Sequence, residues 1–360
     1  MYIGEQLINP TDGRMRLSAQ LGCKGIIIDS RPNDQVIGED GRWVSAKITT
    51  QRQRIEDLGM SLDGMALDLG SVLLDSLRNR EKADAAIARL KQNIRAAGEA
   101  GVPLVKYTVA MVGITRTGTV EGRGGMMCST FTASEYKAEN DARFSYWGVI
   151  LPEDGAGGAH SPVGAMRTAQ AGGQVMASEA GVISEEDGWS AIRYFVDNLL
   201  PVAEECGVRL ACHPHDPAYP PGGLNGVQHV LGSLDGLRKF IALAPEARMH
   251  GFNFCQGTIA EMSATPTETV LQAIREFGSD NRIFMVHFRN IKGGYLDFRE
   301  AMPDEGSVDM FECIKAYRSV GYNGILCPDH VPLSDLDPGR ERFFSFALGY
   351  TQGLLQAAAA

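Results

Sequence analysis

Four side chains able to hold a divalent metal stand at the ends of short apolar runs in the second half of the chain. They are His213 in RLACHPHD, Cys255 in GFNFCQGT, His287 in IFMVHFRN and Asp329 in GILCPDH. Two imidazoles, one thiolate and one carboxylate form a donor set for a first-row divalent ion, with positions left over for substrate oxygens. Each residue alone has a plainer reading. A histidine at a strand end is commonly a hydrogen-bonded structural residue, a lone cysteine a small buried hydrophobe, and an aspartate before a histidine a helix cap. Four such residues ending four successive runs are a pattern that those separate readings do not produce. The thiolate favours softer ions over Mg2+. Mn2+ or Fe2+ is the leading expectation, with Co2+ or Zn2+ as alternatives.

For these residues to meet, the runs that carry them must lie side by side with their carboxyl ends together. Eight short apolar runs alternate with helical patterns, at 2–7, 25–29, 62–67, 104–109, 209–213, 251–255, 283–288 and 324–327. Several are rich in Val and Ile and bounded by Gly, Pro or Asn, as buried strands are. Helical spacing shows in Ala83, Ile87, Leu90 and Ile94 within 79–100, and again in 189–206 and 308–320. Strands alternating with helices imply a parallel sheet, and eight such units close into a (β/α)8 TIM barrel whose strand ends converge on one pocket. An open doubly wound sheet is the alternative. The chain reads as one domain, 1–360. Three segments exceed ordinary connections: 30–50 with Arg31, Asp34 and Trp43, the Pro/Gly-rich 214–235, and 110–188 with glycine clusters at 122–125 and 155–158. Segments of that length in a compact domain are commonly functional, and 110–188 is expected as a lid after the fourth strand. The glycine clusters lack the strand–GxGxxG–helix context of a dinucleotide site.

A composition of 44% hydrophobic and 22% charged residues suits a globular enzyme. With a net charge of −10, no broad positive field exists for nucleic acid or an anionic membrane surface. An anionic substrate therefore depends on local Arg or Lys. Seven irregularly spaced cysteines argue against a disulfide framework. No basic-then-apolar leader is present and no apolar run nears the ~18 residues of a membrane span, so the cytoplasm is expected.

The chain resembles the mannonate dehydratase family, a group of xylose-isomerase-like barrels, on motifs spread over nearly its whole length. They are YTVAMVGITRTGT (107–119), HPHDP (213–217), NFCQGT (253–258), VHFRNI (286–291), MPDEGSVDM (302–310), GILCPDH (324–330) and ALGYTQGLL (347–355). The resemblance implies a metal-dependent barrel that removes water from D-mannonate or a related aldonic acid to leave a 2-keto-3-deoxy acid. It maps the metal site onto His213, Cys255, His287 and Asp329, implies substrate contacts for Arg116, Arg289 and Asn253, and implies a homo-oligomer, dimer or tetramer. The chemistry requires loss of the proton beside the carboxylate and departure of the neighbouring hydroxyl. His330, beside Asp329, is the first candidate for acid and base because imidazole titrates near neutral pH. The chain also departs from the family pattern. Val331 replaces a glycine, Arg340 stands where a catalytic tyrosine is expected, and His215 replaces an aspartate. Arg340, always protonated, is expected to bind an acidic group, and His215 to be a second acid/base group. A divergent sugar isomerase, epimerase or keto-sugar lyase using the same enediolate chemistry is the alternative activity.

Overall fold

A computed structural model describes residues 1–8, 10–29, 35–138 and 180–359 of the chain. In chain order its strands are β1 (Tyr2–Ile8), β2 (Gly25–Asp29), β3 (Ser61–Ala66), β4 (Leu104–Thr108), β5 (Gly118–Glu121), β6 (Met127–Thr132), β7 (Arg209–His213), β8 (His250–Cys255), β9 (Ile283–His287), β10 (Ile291–Gly294), β11 (Asp297–Glu300) and β12 (Ile325–Cys327). Eight of them close into a parallel barrel in the order β1-β12-β9-β8-β7-β4-β3-β2. Each barrel strand coincides with one of the apolar runs, within one residue at either end. Helices cover the outside of the barrel and side chains fill the inside. Strands β2, β8 and β9 are accordingly buried at every position rather than at alternate ones.

The helices follow from their apolar spacing and their caps. Helix Arg80–Glu99 turns Ala83, Ile87, Leu90, Ile94 and Ala97 toward the core, and the Asn79 side chain accepts from the Lys82 amide at its start. Helix Glu185–Cys206 begins with a reciprocal Ser184–Asp187 capping box and ends at Gly207, whose φ of 66° needs a residue without a Cβ. Helix Met310–Ser319 is capped by Asp309, which accepts from two amides of its first turn.

The long segment 110–188 does not begin as a free lid. Its first part forms β5 and β6, joined by a turn in which Gly124 and Gly125 have φ of 65° and 83°. These strands join β10 and β11 in an antiparallel sheet of order β10-β11-β6-β5. β11 therefore links the ribbon from 110–188 to the connection that follows β9. Most of the remaining expected lid, residues 139–179, lies outside the described residues, as do Arg31 and Asp34. Among the described residues no helix is long and apolar enough to cross a membrane. All seven cysteines are free thiols.

Candidate metal centre and its pocket

Parallel register brings the carboxyl ends of the last barrel strands level. Cys255 pairs with His287, and His287 with Cys327, two residues before Asp329; on the other side His213 pairs with Thr108. One ligand atom from each of His213, Cys255, His287 and Asp329 lies within 4.8 Å of the others. Local contacts prepare these atoms for a cation. His213 Nδ1 lies 2.7 Å from the Pro214 carbonyl, which can only accept, so Nδ1 carries the proton and Nε2 keeps its lone pair. Burial draws the His213 imidazole below its usual pKa and so keeps it neutral, as ligation requires. His287 Nδ1 is buried with no hydrogen-bond partner and stands 3.3 Å from Asp329 Oδ2. Burial would raise the Asp329 carboxyl, but the imidazoles of His287 and His330 outweigh it and hold the group well below its ordinary range. The Thr258 hydroxyl donates to Cys255 Sγ at 3.1 Å. The donor set and its surroundings fit a divalent metal.

The cluster forms one side of a pocket whose other wall is apolar, from Leu67, Val112 and Ile114. Lys106, Asp216 and His330 also line it. Lys106 was missed in the sequence. It is 7% exposed, its Nζ stands 3.2 Å from His287 Nε2, and it is hydrogen-bonded to Gln6. The available signal was a charged residue inside the apolar run LVKYT, since a lysine is rarely buried there without a task. Asn253 is not among the pocket's lining residues and contacts His287, with Nδ2 3.2 Å from His287 Nε2.

The two arginines expected at the substrate lie elsewhere. The side chains of Arg116 and Arg289 are fully buried, and neither lines the pocket. Arg116 donates to Asp216 at 2.7 Å and Glu300 at 2.8 Å. Arg289 donates to Asp216 at 2.9 Å, to Glu261 at 2.7 Å, and to both Glu300 oxygens at 2.6 and 2.9 Å. Burial alone would raise all three carboxyls. The guanidinium groups reverse this for Glu300, held at about 2 with the help of His330, and for Asp216, held below the ordinary carboxylate range. Glu261 is instead pushed well above its usual value by burial and by Asp216.

The remaining candidates divide. His330 lines the pocket, with Nδ1 3.1 Å from Glu300 Oε1 and Nε2 3.2 Å from Asp329 Oδ2. His215 is outside the lining. Its Nδ1 accepts from the Leu231 amide at 3.4 Å, and its ring packs 4.7 Å from that of His229. Burial and His229 hold it well below the histidine range, which does not suit a proton shuttle near neutral pH. Arg340 is buried at the start of helix Glu341–Ala357, in a left-handed conformation with φ of 59°. Burial lowers its pKa to about 10, offset by Asp329 and Asp337, so it sits in the field of the metal-site carboxylate. Glu300 was not foreseen, because nothing in the short run DFRE distinguishes it from a surface charge.

A family model described as D-mannonate dehydratase (UxuA) matches residues 14–359. Mannonate dehydratase 2 of Halalkalibacterium halodurans is 28% identical over 352 residues, spanning 93% of this chain and 92% of that one. The mannonate dehydratase of Enterococcus faecalis is 29% identical over 316 residues, 86% of this chain and 82% of that one. Among solved structures, mannonate dehydratase from Streptococcus suis serotype 2 matches with a TM-score of 0.75 at 22% identity, covering 99% and 95% of the two chains. A 3-keto-D-glucoside 4-epimerase from E. coli shares the fold at a TM-score of 0.59 and 13% identity, over 98% of this chain and 99% of that one.

Proposed function

The chain belongs to the D-mannonate dehydratase family and is a hydro-lyase, and from that premise we propose that it converts D-mannonate or a related aldonic acid to a 2-keto-3-deoxy acid. The metal would be held by His213, Cys255, His287 and Asp329, with Mn2+ or Fe2+ first and Co2+ or Zn2+ next. The observation that carries this reading is the convergence of four ligand atoms within 4.8 Å beside a pocket that also holds a lysine and an imidazole. When bound, a divalent cation supplies polarisation of the substrate's carboxylate and hydroxyl oxygens.

The other duties fall to side chains. Lys106 is the cation that lines the pocket, and it takes over from Arg116 and Arg289 as the partner of the substrate carboxylate. His330 removes the proton beside that carboxylate. Glu300 accepts Nδ1–H and so fixes the tautomer, leaving Nε2 beside the cluster to take the proton. The same imidazole then protonates the departing hydroxyl, water leaves, and the remaining enol becomes the keto acid. Arg116 and Arg289 act one step removed, by keeping Glu300 ionised. The apolar wall limits bulk water around the exposed carbanion-like centre. A homo-oligomeric assembly is part of the same reading and is checked by sedimentation.

The test is incubation of the metal-loaded protein with D-mannonate and other aldonic acids, followed by keto-acid formation before and after chelation. Metal-dependent keto acid supports the reading. No keto acid from any aldonic acid, together with metal-dependent isomerisation or epimerisation of an aldose or ketose, would replace it with the isomerase or epimerase alternative.

A further inference from the structure

A second cavity, of about 570 Å³, opens at the opposite end of the barrel, between the amino ends of the strands. Its floor is apolar, from Ile27, Leu104, Phe284 and Ile325, members of the cluster that fills the lower barrel. Arg209, the first residue of β7, and Arg248, just before β8, also line it. The Arg209 guanidinium lies 5.5 Å from the centroid of the Phe284 ring. Arg209 lies in the field of Asp63, which shares the lining. The lining carboxylate, Asp63, is already engaged: it accepts from Ser61 at 2.6 Å and from the Tyr2 hydroxyl at 2.8 Å. Gly25 makes room for it, since a Cβ there would stand 1.8 Å from Asp63 Oδ2. Burial pushes the Asp63 carboxyl up while Ser61, Tyr2 and Arg209 draw it down, and the lining sets two arginines against this one carboxylate. In a chain of net charge −10, this leaves a positively charged rim over an apolar floor.

We infer that this cavity is a second ligand site, for a small organic acid whose carboxylate meets Arg209 and Arg248 and whose apolar body rests on Ile27, Phe284 and Ile325. Two arginines would also take a phosphate group, but the apolar floor selects a ligand with a hydrophobic body. The site shares no residue with the metal pocket, so the inference stands apart from the proposed reaction.

Benzoate serves as the probe, titrated into the full-length protein by calorimetry, with inorganic phosphate as the contrast. Saturable benzoate binding is expected, weakened roughly tenfold or more by Arg209→Met, which removes the charge and keeps the stem. Arg209→Lys should retain most of the affinity. An unchanged metal content in Arg209→Met would establish that the barrel has folded around its catalytic site. Lys106→Met, altered only at the other end, should bind benzoate as before. Loss of binding with Lys106→Met and not with Arg209→Met would assign benzoate to the catalytic pocket and overturn the inference. Failure of the unsubstituted protein to bind benzoate saturably, or saturable binding of phosphate alone, would overturn it equally.

Discussion

The Pro214 carbonyl that fixes the tautomer of His213 illustrates how much of the site is decided by contacts one atom beyond the candidate ligands. The convergence of His213, Cys255, His287 and Asp329 was legible in the sequence, because strand ends in a parallel barrel meet at one mouth and four successive runs lead into a metal-competent residue. The partners of charged residues were not legible. A sequence displays the charge of Arg116 and Arg289 but not the three carboxylates that the fold brings to them. Cys255→Ser and His287→Ala should each lower bound metal and turnover together; metal content at the unsubstituted level in both would refute the site. Lys106→Met should raise KM more than it lowers kcat, since its charge meets the substrate carboxylate before and during reaction alike. His330→Asn should keep its metal and lose roughly 10²–10⁴-fold in kcat, the usual worth of a general acid or base. A loss below about tenfold would reduce His330 to an orienting partner of Asp329.

Among the elements, β11 has the widest reach. It pairs with β6 from the long segment after β4, and its last residue, Glu300, meets His330, Arg116 and Arg289. The antiparallel sheet was invisible to periodicity because β5, β10 and β11 have four residues each, too few to show alternation. Glu300→Gln leaves two buried guanidinium groups short of one anion and should destabilise the fold by about 3–5 kcal/mol, as broken buried ion pairs do. The pH dependence has a definite sign. Glu300 titrates at about 2 in the folded chain against an ordinary 4.5, so its contribution is full above the unfolded value and is lost as pH falls through the folded one. Asp216 adds in the same direction. Glu261, raised by burial, works the opposite way, its cost setting in as pH rises above the ordinary carboxylate value. The melting temperature should therefore fall steeply on acidification from about pH 5, and the acid limb should be shallower in Glu300→Gln. Parallel acid limbs in the two proteins would show that Glu300 is not held low.

For the molecule as a whole, the barrel was the most legible feature, since strands buried on both faces read as uninterrupted apolar runs. Binding at the strand ends joins four strand termini, so metal occupancy should register as global stability. Chelation should lower the melting temperature and readdition of the ion restore it, by about 4 kcal/mol when free metal exceeds Kd a thousandfold. An unchanged melting temperature would mean that the cation is not bound in the native state. Barrel closure also sets an order of events during biosynthesis. β12 pairs with β1 at Tyr2–Ile325 and Ile3–Leu326, and Asp329 follows that seam. A nascent chain that has already extruded His213, Cys255 and His287 still lacks the carboxylate and the closing strand. A metal held by all four residues would therefore be taken up late in maturation, once the first strand and the last have met.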